Sequence, residues 1–137
     1  MIIADTNLIS YLYFDTIYSE LASEVHELDP EWACPVLWRS EFVNVVSHYL
    51  RRKIITYQDA IDAIDFAKRT IEDREFTVSQ YAVLELISLS TCSAYDCEFV
   101  ALAKEHEIRL VTFDSKIIRE FPGIAIQATD FIAKYKK

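Results

Sequence analysis

Glycine is almost absent from this chain of 137 residues, in which Gly123 is the only example. The glycine-rich loops that hold nucleotide phosphates need more than one glycine, so the sequence disfavours a nucleotide cofactor bound in the usual ways. The same scarcity excludes a glycine-rich linker, and the chain contains no internal repeat. We therefore expect a single domain over residues 1–137, a length that is typical of one domain.

Long apolar runs are also missing, since none approaches the roughly 18 residues that suggest a membrane span. Asp5 interrupts any early apolar segment of the kind that signal peptides carry, so we expect a cytoplasmic protein without a membrane segment. The three cysteines, Cys34, Cys92 and Cys97, lack the paired spacing of structural zinc sites. We expect them to be reduced and packed as small hydrophobic residues.

Basic residues are few: 14 Lys and Arg stand against 22 Asp and Glu, which gives a net charge of −8. A general electrostatic attraction to nucleic acid is therefore weak, although a divalent cation in an acidic cleft reverses the local sign. The acidity also favours a basic protein partner. Hydrophobic residues make up 52% of the chain, which is enough for a full core.

Apolar segments with the periods of strands and helices alternate along the chain, which predicts an α/β fold with a parallel sheet. We predict strands over 2–5, 108–114 and 124–128, a short strand over 76–78, and a short or edge-like segment over 32–37. We predict helices over 7–14, 17–28, 41–53, 57–72, 79–90, 95–107 and 115–121, and a last helix after 128. Asn7, Ser40 and either Thr129 or Asp130 are the expected N-caps, and the largely apolar helix 79–90 is expected to be central to the core.

Acidic residues follow two of the predicted strands, which end in Asp5 and Asp114. Ligands of open parallel sheets bind beyond the carboxyl ends of the strands, so these two side chains should face one crevice. Glu41 and Asp96 lie in the first turns of helices whose amino ends can point to the same edge. Carboxylates gathered in this way repel one another unless a cation neutralises them, and oxygen ligands favour Mg²⁺ or Mn²⁺.

Such a site could hydrolyse a phosphodiester without a nucleophilic side chain, because a bound ion activates water and stabilises charge on phosphate. Thr112 leaves its strand on the same face as Asp114, two residues later, and its hydroxyl could orient a carboxylate.

The order of these residues along nearly the whole chain resembles that of the PIN domain family. The motifs that carry the resemblance are Asp5-Thr6-Asn7, Glu41 opening a helix, Tyr95-Asp96 followed by Phe99-Val100-Ala101-Leu102-Ala103, and Leu110-Val111-Thr112-Phe113-Asp114. In size the chain is similar to the VapC-like toxins of bacterial and archaeal toxin–antitoxin pairs. Cys97 stands where such relatives frequently have alanine.

The resemblance implies a three-layer α/β/α sandwich and an Mg²⁺- or Mn²⁺-dependent endoribonuclease that acts on tRNA, rRNA or mRNA. It assigns catalytic and metal-binding roles to Asp5, Glu41, Asp96 and Asp114, and supporting roles to Asn7 and Thr112. It also implies a homodimer and a basic antitoxin. The antitoxin would lie over an aromatic groove, here Tyr11, Leu12, Tyr13, Phe14 and Tyr18.

Each acid taken alone also fits a helix cap or a first-turn residue that the helix dipole favours. We expect Glu98 to face solvent, and we assign the three histidines no catalytic role. Arg51, Arg52 and Lys53 either stabilise a helix C-terminus or contact RNA, together with Lys68 and Arg69. Two other functions stay open: a non-catalytic module whose acidic pocket receives a basic partner, and a DNA-directed nuclease of related fold.

Overall fold

The computed structural model describes residues 1–137, which form five strands and eight helices. The strands are β1 (Ile2–Ala4), β2 (Trp32–Pro35), β3 (Glu75–Phe76), β4 (Leu110–Thr112) and β5 (Ala125–Gln127). The helices are α1 (Thr6–Tyr13), α2 (Ser19–Leu28), α3 (Trp38–Arg51), α4 (Tyr57–Ile71), α5 (Gln80–Ser88), α6 (Ala94–His106), α7 (Ser115–Glu120) and α8 (Ala128–Tyr135).

All five strands lie in one parallel sheet, in the order β3-β2-β1-β4-β5. Ile3 pairs with Ala33 of β2 on one side and with Leu110 of β4 on the other. The chain runs outward from β1 to β3 and then returns to β4, so the direction of winding reverses between β1 and β4. That reversal is the topological switch point, where open α/β sheets bind ligands.

Helices cover both faces of the sheet, as right-handed crossovers between parallel strands require. The crossovers from β1 through β3 place α1 to α4 on one face, where α8 packs against α2. The return to β4 and the step to β5 place α5, α6 and α7 on the opposite face, where α5 and α6 pack together. The predicted α/β/α arrangement with a short parallel sheet is confirmed.

The central strands are buried because both of their faces are covered. Ile3, Leu110 and Val111 are fully buried, as are the large side chains of Trp32 and Phe42. The three cysteines are buried free thiols, as the sequence predicted. None of the eight helices combines the length and the apolar character that a bilayer crossing needs.

Three predicted helix starts are wrong by one to three positions. Helix α1 is capped by Asp5, whose carboxylate accepts the Thr6 amide, whereas Asn7 lies exposed inside the helix. Helix α3 begins at Trp38, before Ser40, because a buried tryptophan starts its first turn. Helix α8 begins at Ala128, directly after β5, so neither Thr129 nor Asp130 caps it.

Two predicted positions in the fold are also wrong. The segment 32–37 is not an edge, because β2 lies between β1 and β3 and is buried along its length. Its proline, Pro35, lies beyond the residues that pair with β1, and the amides of Cys34 and Val36 donate to the β3 segment, so no amide is needed at position 35. Helix α5 is not central to the core. It buries Val83 and Leu86 and leaves Tyr81, Leu84 and the following Leu89 exposed, since it has more apolar residues than one helix face can bury.

Candidate active site

Asp5 directly follows β1 at the switch point and holds two hydrogen bonds. Its Oδ1 accepts the Thr6 amide at 2.8 Å, and its Oδ2 accepts the Thr112 hydroxyl at 2.6 Å. The Thr112 hydroxyl is fully buried at the end of β4 and also accepts the Asp114 amide at 3.0 Å. One hydroxyl therefore joins the carboxyl ends of the two central strands.

Glu41 is connected to the same network through Thr6. The buried Thr6 hydroxyl donates to Glu41 Oε1 at 2.7 Å, which brings the first turn of α3 to the start of α1. Sequence reasoning missed Thr6, although a threonine directly after an acidic strand end is a signal that could have identified it. The contact orients Glu41 towards the edge of the sheet where Asp5 lies.

Asp114 and Asp96 each lie at a helix start. The Asp114 Oδ1 accepts the amides of Lys116 and Ile117 at 2.9 and 3.2 Å, so this residue caps α7. The amide of Asp96 donates to the Ser93 hydroxyl at 3.0 Å, and Ser93 caps α6. Because Ser93 caps α6, the Asp96 carboxylate accepts no hydrogen bond from a backbone amide. The Asp114 carboxylate, by contrast, caps α7 and also lies near Asp5.

The acids influence one another, as their proton affinities show. Burial raises the pKa of Asp5 to about 6, and the charges of Asp96 and Asp114 add to that rise. Burial also raises the pKa of Glu41, with further contributions from Asp5, Asp96 and Glu98. These mutual effects mean that the four predicted acids share one electrostatic environment.

Glu98 does not face solvent freely, contrary to the prediction. It is half-buried, burial raises its pKa, and its charge acts on Glu41. Glu98 lies two residues after Asp96 on α6, so it adds a fifth carboxylate to the environment of the site.

No basic side chain neutralises these acids. The four ion pairs of the protein join other groups: the Met1 amino group with Asp29, Arg39 with Glu75, Arg74 with Glu72 and Lys136 with Glu24. Carboxylate and hydroxyl oxygens match the preference of Mg²⁺ and Mn²⁺ for hard ligands. The side chains stand farther apart than the ligands of a bound ion, since no three Asp, Glu, His or Cys residues are close enough to hold one.

The other predicted residues lie outside this network. Asn7 is exposed on α1 and makes no side-chain hydrogen bond to an acid. Arg51, at the end of α3, is ten residues beyond Glu41, about 15 Å along the helix, and Arg52 and Lys53 follow it. Lys68 and Arg69 lie at the far end of α4, so the two basic groups do not form one patch.

The fold and the acids define an α/β domain with an acidic crevice at the switch point of a parallel sheet. The chain belongs to the PIN domain family, whose model matches residues 2–123. Members of this family are generally nucleases and usually use divalent metal ions. No curated protein gave a significant sequence match to the chain.

Two solved structures share the fold at low sequence identity. PAE2754 from Pyrobaculum aerophilum has a TM-score of 0.70 and 17% identity, and the match covers 97% of this chain and 94% of that chain. A toxin–antitoxin complex from Klebsiella pneumoniae contains a chain with a TM-score of 0.68 and 18% identity, and the match covers 93% of this chain and 98% of that chain. Both similarities extend over nearly the full length of this chain and of the matched chains.

Proposed function

We propose that this protein is an Mg²⁺- or Mn²⁺-dependent endoribonuclease that acts in the cytoplasm as the toxin of a toxin–antitoxin pair. The observation that supports it most directly is the hydrogen-bonded chain from Glu41 through Thr6, Asp5 and Thr112 to Asp114. Asp96 adds its charge to this chain, and no basic side chain compensates it. Nuclease activity is general in the family, and we propose RNA as the substrate.

In this proposal Asp5, Glu41, Asp96 and Asp114 would hold the metal, and their side chains would have to move closer together to bind it. When bound, a divalent ion lowers the pKa of a water molecule and stabilises the charge that develops on the phosphate. Thr112 and Thr6 hold the carboxylates of Asp5 and Glu41 in one orientation, which is the usual task of groups that support metal ligands. Each oxygen of the Asp5 and Glu41 carboxylates accepts at most one hydrogen bond, so the threonines leave lone pairs free for a metal ion.

Arg51, Arg52 and Lys53 are the groups that we propose for contact with the RNA backbone. All three are exposed at the end of α3, well away from the acids. A net charge of −8 gives RNA no broad basic surface, so contacts of this kind must be few. The RNA would then be positioned mainly by the acidic crevice, and Arg51, Arg52 and Lys53 would contact its backbone at a distance from the scissile phosphate.

A basic antitoxin is the partner that the acidity of the chain favours. The structural neighbour from Klebsiella pneumoniae is described as a toxin–antitoxin complex, which supports a partner of this kind. Its contact surface would include the aromatic segment of α1 and the start of α2. A basic side chain of the partner could then reach the uncompensated acids and inhibit the enzyme.

A homodimer is supported by the outer face of α5. Tyr81 and Leu84, one helical turn apart, are 86% and 61% exposed, and Leu89 is 71% exposed. Apolar side chains grouped in this way commonly mark an interface. Light scattering on the Leu84→Glu variant tests this face, which should become monomeric while the wild-type protein is a dimer.

The nuclease is tested by incubating purified protein with a pool of tRNA and rRNA in Mn²⁺, in Mg²⁺ and in EDTA. Asp96→Asn should abolish cleavage and leave the fold intact. Asp65→Asn is the matched control, because Asp65 is an exposed acid in the middle of α4, and it should cut like the wild type.

Discrete cuts that need metal and disappear in Asp96→Asn would support the proposal. A folded, antitoxin-free protein that cuts no RNA with either metal would contradict it and favour the non-catalytic interaction module. Cleavage of DNA oligonucleotides in preference to RNA would favour the DNA-directed nuclease.

A further inference from the structure

Three aromatic rings form a cluster at the carboxyl edge of the sheet, which we call the aromatic triad. Tyr11, Tyr18 and Phe113 contact one another pairwise, with ring centroids 5.0 Å apart for Tyr11–Tyr18, 5.1 Å for Tyr11–Phe113 and 5.2 Å for Tyr18–Phe113. Each ring packs against the other two. Tyr11 lies on α1, Tyr18 lies directly before α2, and Phe113 directly follows β4. The triad is therefore a preformed apolar surface with little freedom to rearrange.

The triad lies beside the acids of the candidate site. Phe113 stands between Thr112, which donates to Asp5, and Asp114. Tyr11 is on the helix that Asp5 caps, and the Asp5 carboxylate is near enough to contribute to the raised pKa of the Tyr11 phenol, after the larger effects of burial and two neighbouring tyrosines. The triad and the acids thus belong to one continuous surface.

A second group of aromatic rings in the same region has a different character. Phe14 is buried and stacks on Tyr49 with centroids 4.1 Å apart and planes within 8°, and Tyr13 contacts Phe66. These rings attach α1 to α3 and α4 and serve the fold. In the triad, by contrast, Tyr18 is 40% exposed and the neighbouring Ile17 is 86% exposed, so part of the cluster is open to a ligand.

We propose that the aromatic triad is a subsite for an unpaired nucleobase next to the scissile phosphate. This inference rests on the proposed ribonuclease function, because a phosphate at the acids brings the bases of the adjoining nucleotides to the edge of the crevice. Aromatic side chains bind single-stranded nucleic acid by stacking on its bases, whereas the faces of paired bases are covered in a duplex. The substrate class is therefore RNA that is single-stranded at the cut.

Local charge supports a base as the occupant. The exposed acids Asp15 and Glu20 flank Tyr18 in the chain, so a phosphate is repelled from this place and the uncharged base is the part of RNA that can approach. The open area is also small: of the three residues only Tyr18 is exposed, and its ring is about the size of one planar base.

The test compares Tyr18→Ala and Tyr18→Phe with the wild type on a single-stranded oligoribonucleotide that contains the cut site. Loss of one stacking contact should raise KM by about 5- to 100-fold in Tyr18→Ala, whereas Tyr18→Phe keeps the ring and should keep KM. Tyr57→Ala is the matched control, because Tyr57 is 73% exposed on α4 and lies outside the triad; its KM should not change.

A second measurement detects stacking without cleavage. The Asp96→Asn protein is titrated with a single-stranded oligoribonucleotide that carries 2-aminopurine beside the cut site, whose fluorescence falls when the base stacks. Quenching that is lost when Tyr18→Ala is added to Asp96→Asn would support the subsite. A KM unchanged by Tyr18→Ala, with cleavage still dependent on Asp96, would overturn the subsite and leave the nuclease standing.

Two further outcomes are informative. If the wild type cuts no RNA, the proposed function fails, and fluorescence with an oligoribonucleotide containing 2-aminopurine decides the triad by itself: quenching dependent on Tyr18 supports a base, and its absence overturns it. If Tyr18→Ala weakens binding of an arginine-rich peptide and leaves RNA affinity unchanged, the subsite is overturned and the triad is assigned to a protein partner.

Discussion

The two ends of the same central strands are built differently. At the amino end, the Met1 amino group before β1 pairs with Asp29 at 2.8 Å, and Arg109 before β4 donates to the carbonyl oxygens of Ile124 and Ala125 at 3.1 and 2.8 Å. At the carboxyl end, Asp5 and Asp114 have hydroxyl and amide donors but no cation. The positive groups at the amino edge have a carboxylate or carbonyl oxygens as partners, whereas the negative groups at the carboxyl edge have no cation.

We infer from this difference that the amino edge serves stability and that the carboxyl edge serves function. Buried carboxylates without a cation weaken a fold, as the burial that raises the pKa of Asp5 indicates. Asp5 and Asp114 also cap α1 and α7, but a cap needs only a hydrogen-bond acceptor, which a neutral asparagine or serine supplies as well. Negative charge that costs stability where a neutral group would serve the fold is typical of functional sites. Substitutions at the two edges should therefore have opposite consequences.

The largest effect is expected for Asp5→Asn, which should reduce cleavage about 100-fold or more while making the metal-free protein more stable. The pKa of Asp5 is about 6 in the folded protein against an ordinary 3.8, so the folded state binds a proton that the unfolded chain lacks between these values. The free energy of unfolding therefore falls as pH rises from about 4 to 6, and above that range the loss is complete.

At pH 7.5 in EDTA the asparagine variant should gain up to about 3 kcal/mol, and the gain should shrink towards pH 4. Urea unfolding at both pH values measures it. A variant that is less stable than the wild type at pH 7.5 would show that the Asp5 charge is compensated after all.

Arg109→Met tests the amino edge and should act in the opposite way. Removing the guanidinium takes a donor from the carbonyl oxygens of Ile124 and Ala125, of which Ile124 keeps the Leu110 amide, and should cost about 1–3 kcal/mol of stability. Since the acids are at the other end of β4, kcat at a temperature well below unfolding should stay as in the wild type. Arg119→Met, at an exposed position of α7, is the control and should change neither quantity. A large loss of kcat in Arg109→Met would mean that the edges are not separable.

Added metal should compensate the negative charge at the carboxyl edge and so stabilise the folded protein. Ions that bind only the folded protein stabilise it, by about 1.4 kcal/mol at ten times the dissociation constant. Thermal unfolding in MgCl₂ or MnCl₂ should therefore shift upward and return with EDTA, and the shift should be absent in Asp96→Asn. An equal shift in that variant would place the ion elsewhere.

The smallest effect is expected for Glu120→Gln, which loosens a contact between two elements of the site. Glu120, at the end of α7, accepts hydrogen bonds from the Thr91 amide and hydroxyl and from the Cys92 thiol, just before α6. It therefore aligns the helix that carries Asp96 with the helix that Asp114 caps. We expect kcat to fall by about two- to tenfold with KM unchanged. Glu105→Gln, exposed on α6, should behave as the wild type; a rise in KM alone would contradict the positioning role.

The sequence predicted the central part of the fold because β1 and β4 are short apolar segments that are followed within two residues by an aspartate. Buried parallel strands need such segments, and strand order then brings their carboxyl ends together. The positions of Glu41 and Asp96 in the first turns of α3 and α6 were likewise readable, since helix periodicity marks those turns. That these acids bind metal stays a prediction.

Other features depend on contacts that the local sequence does not encode. In the sequence Thr6 is an ordinary residue of a first helical turn. Its role depends on the packing of α3, which places Glu41 within hydrogen-bond distance of the Thr6 hydroxyl. The place of β2 between two strands depends on β3, which has only two residues. The exposure of α5 was missed because apolar content alone does not tell which face has a neighbour.

The hydrogen bond between Asp5 and Thr112 joins residues 107 positions apart. A ribosome that adds roughly 5 to 20 residues per second makes Asp5 several seconds before Thr112 exists, and for that time β1 can pair with β2 but not with β4. The proposed catalytic centre is thus among the last parts of the molecule to be completed. If the protein cuts RNA, the site stays incomplete for most of its synthesis, so the growing chain cannot cut its own messenger RNA or the ribosomal RNA during that time.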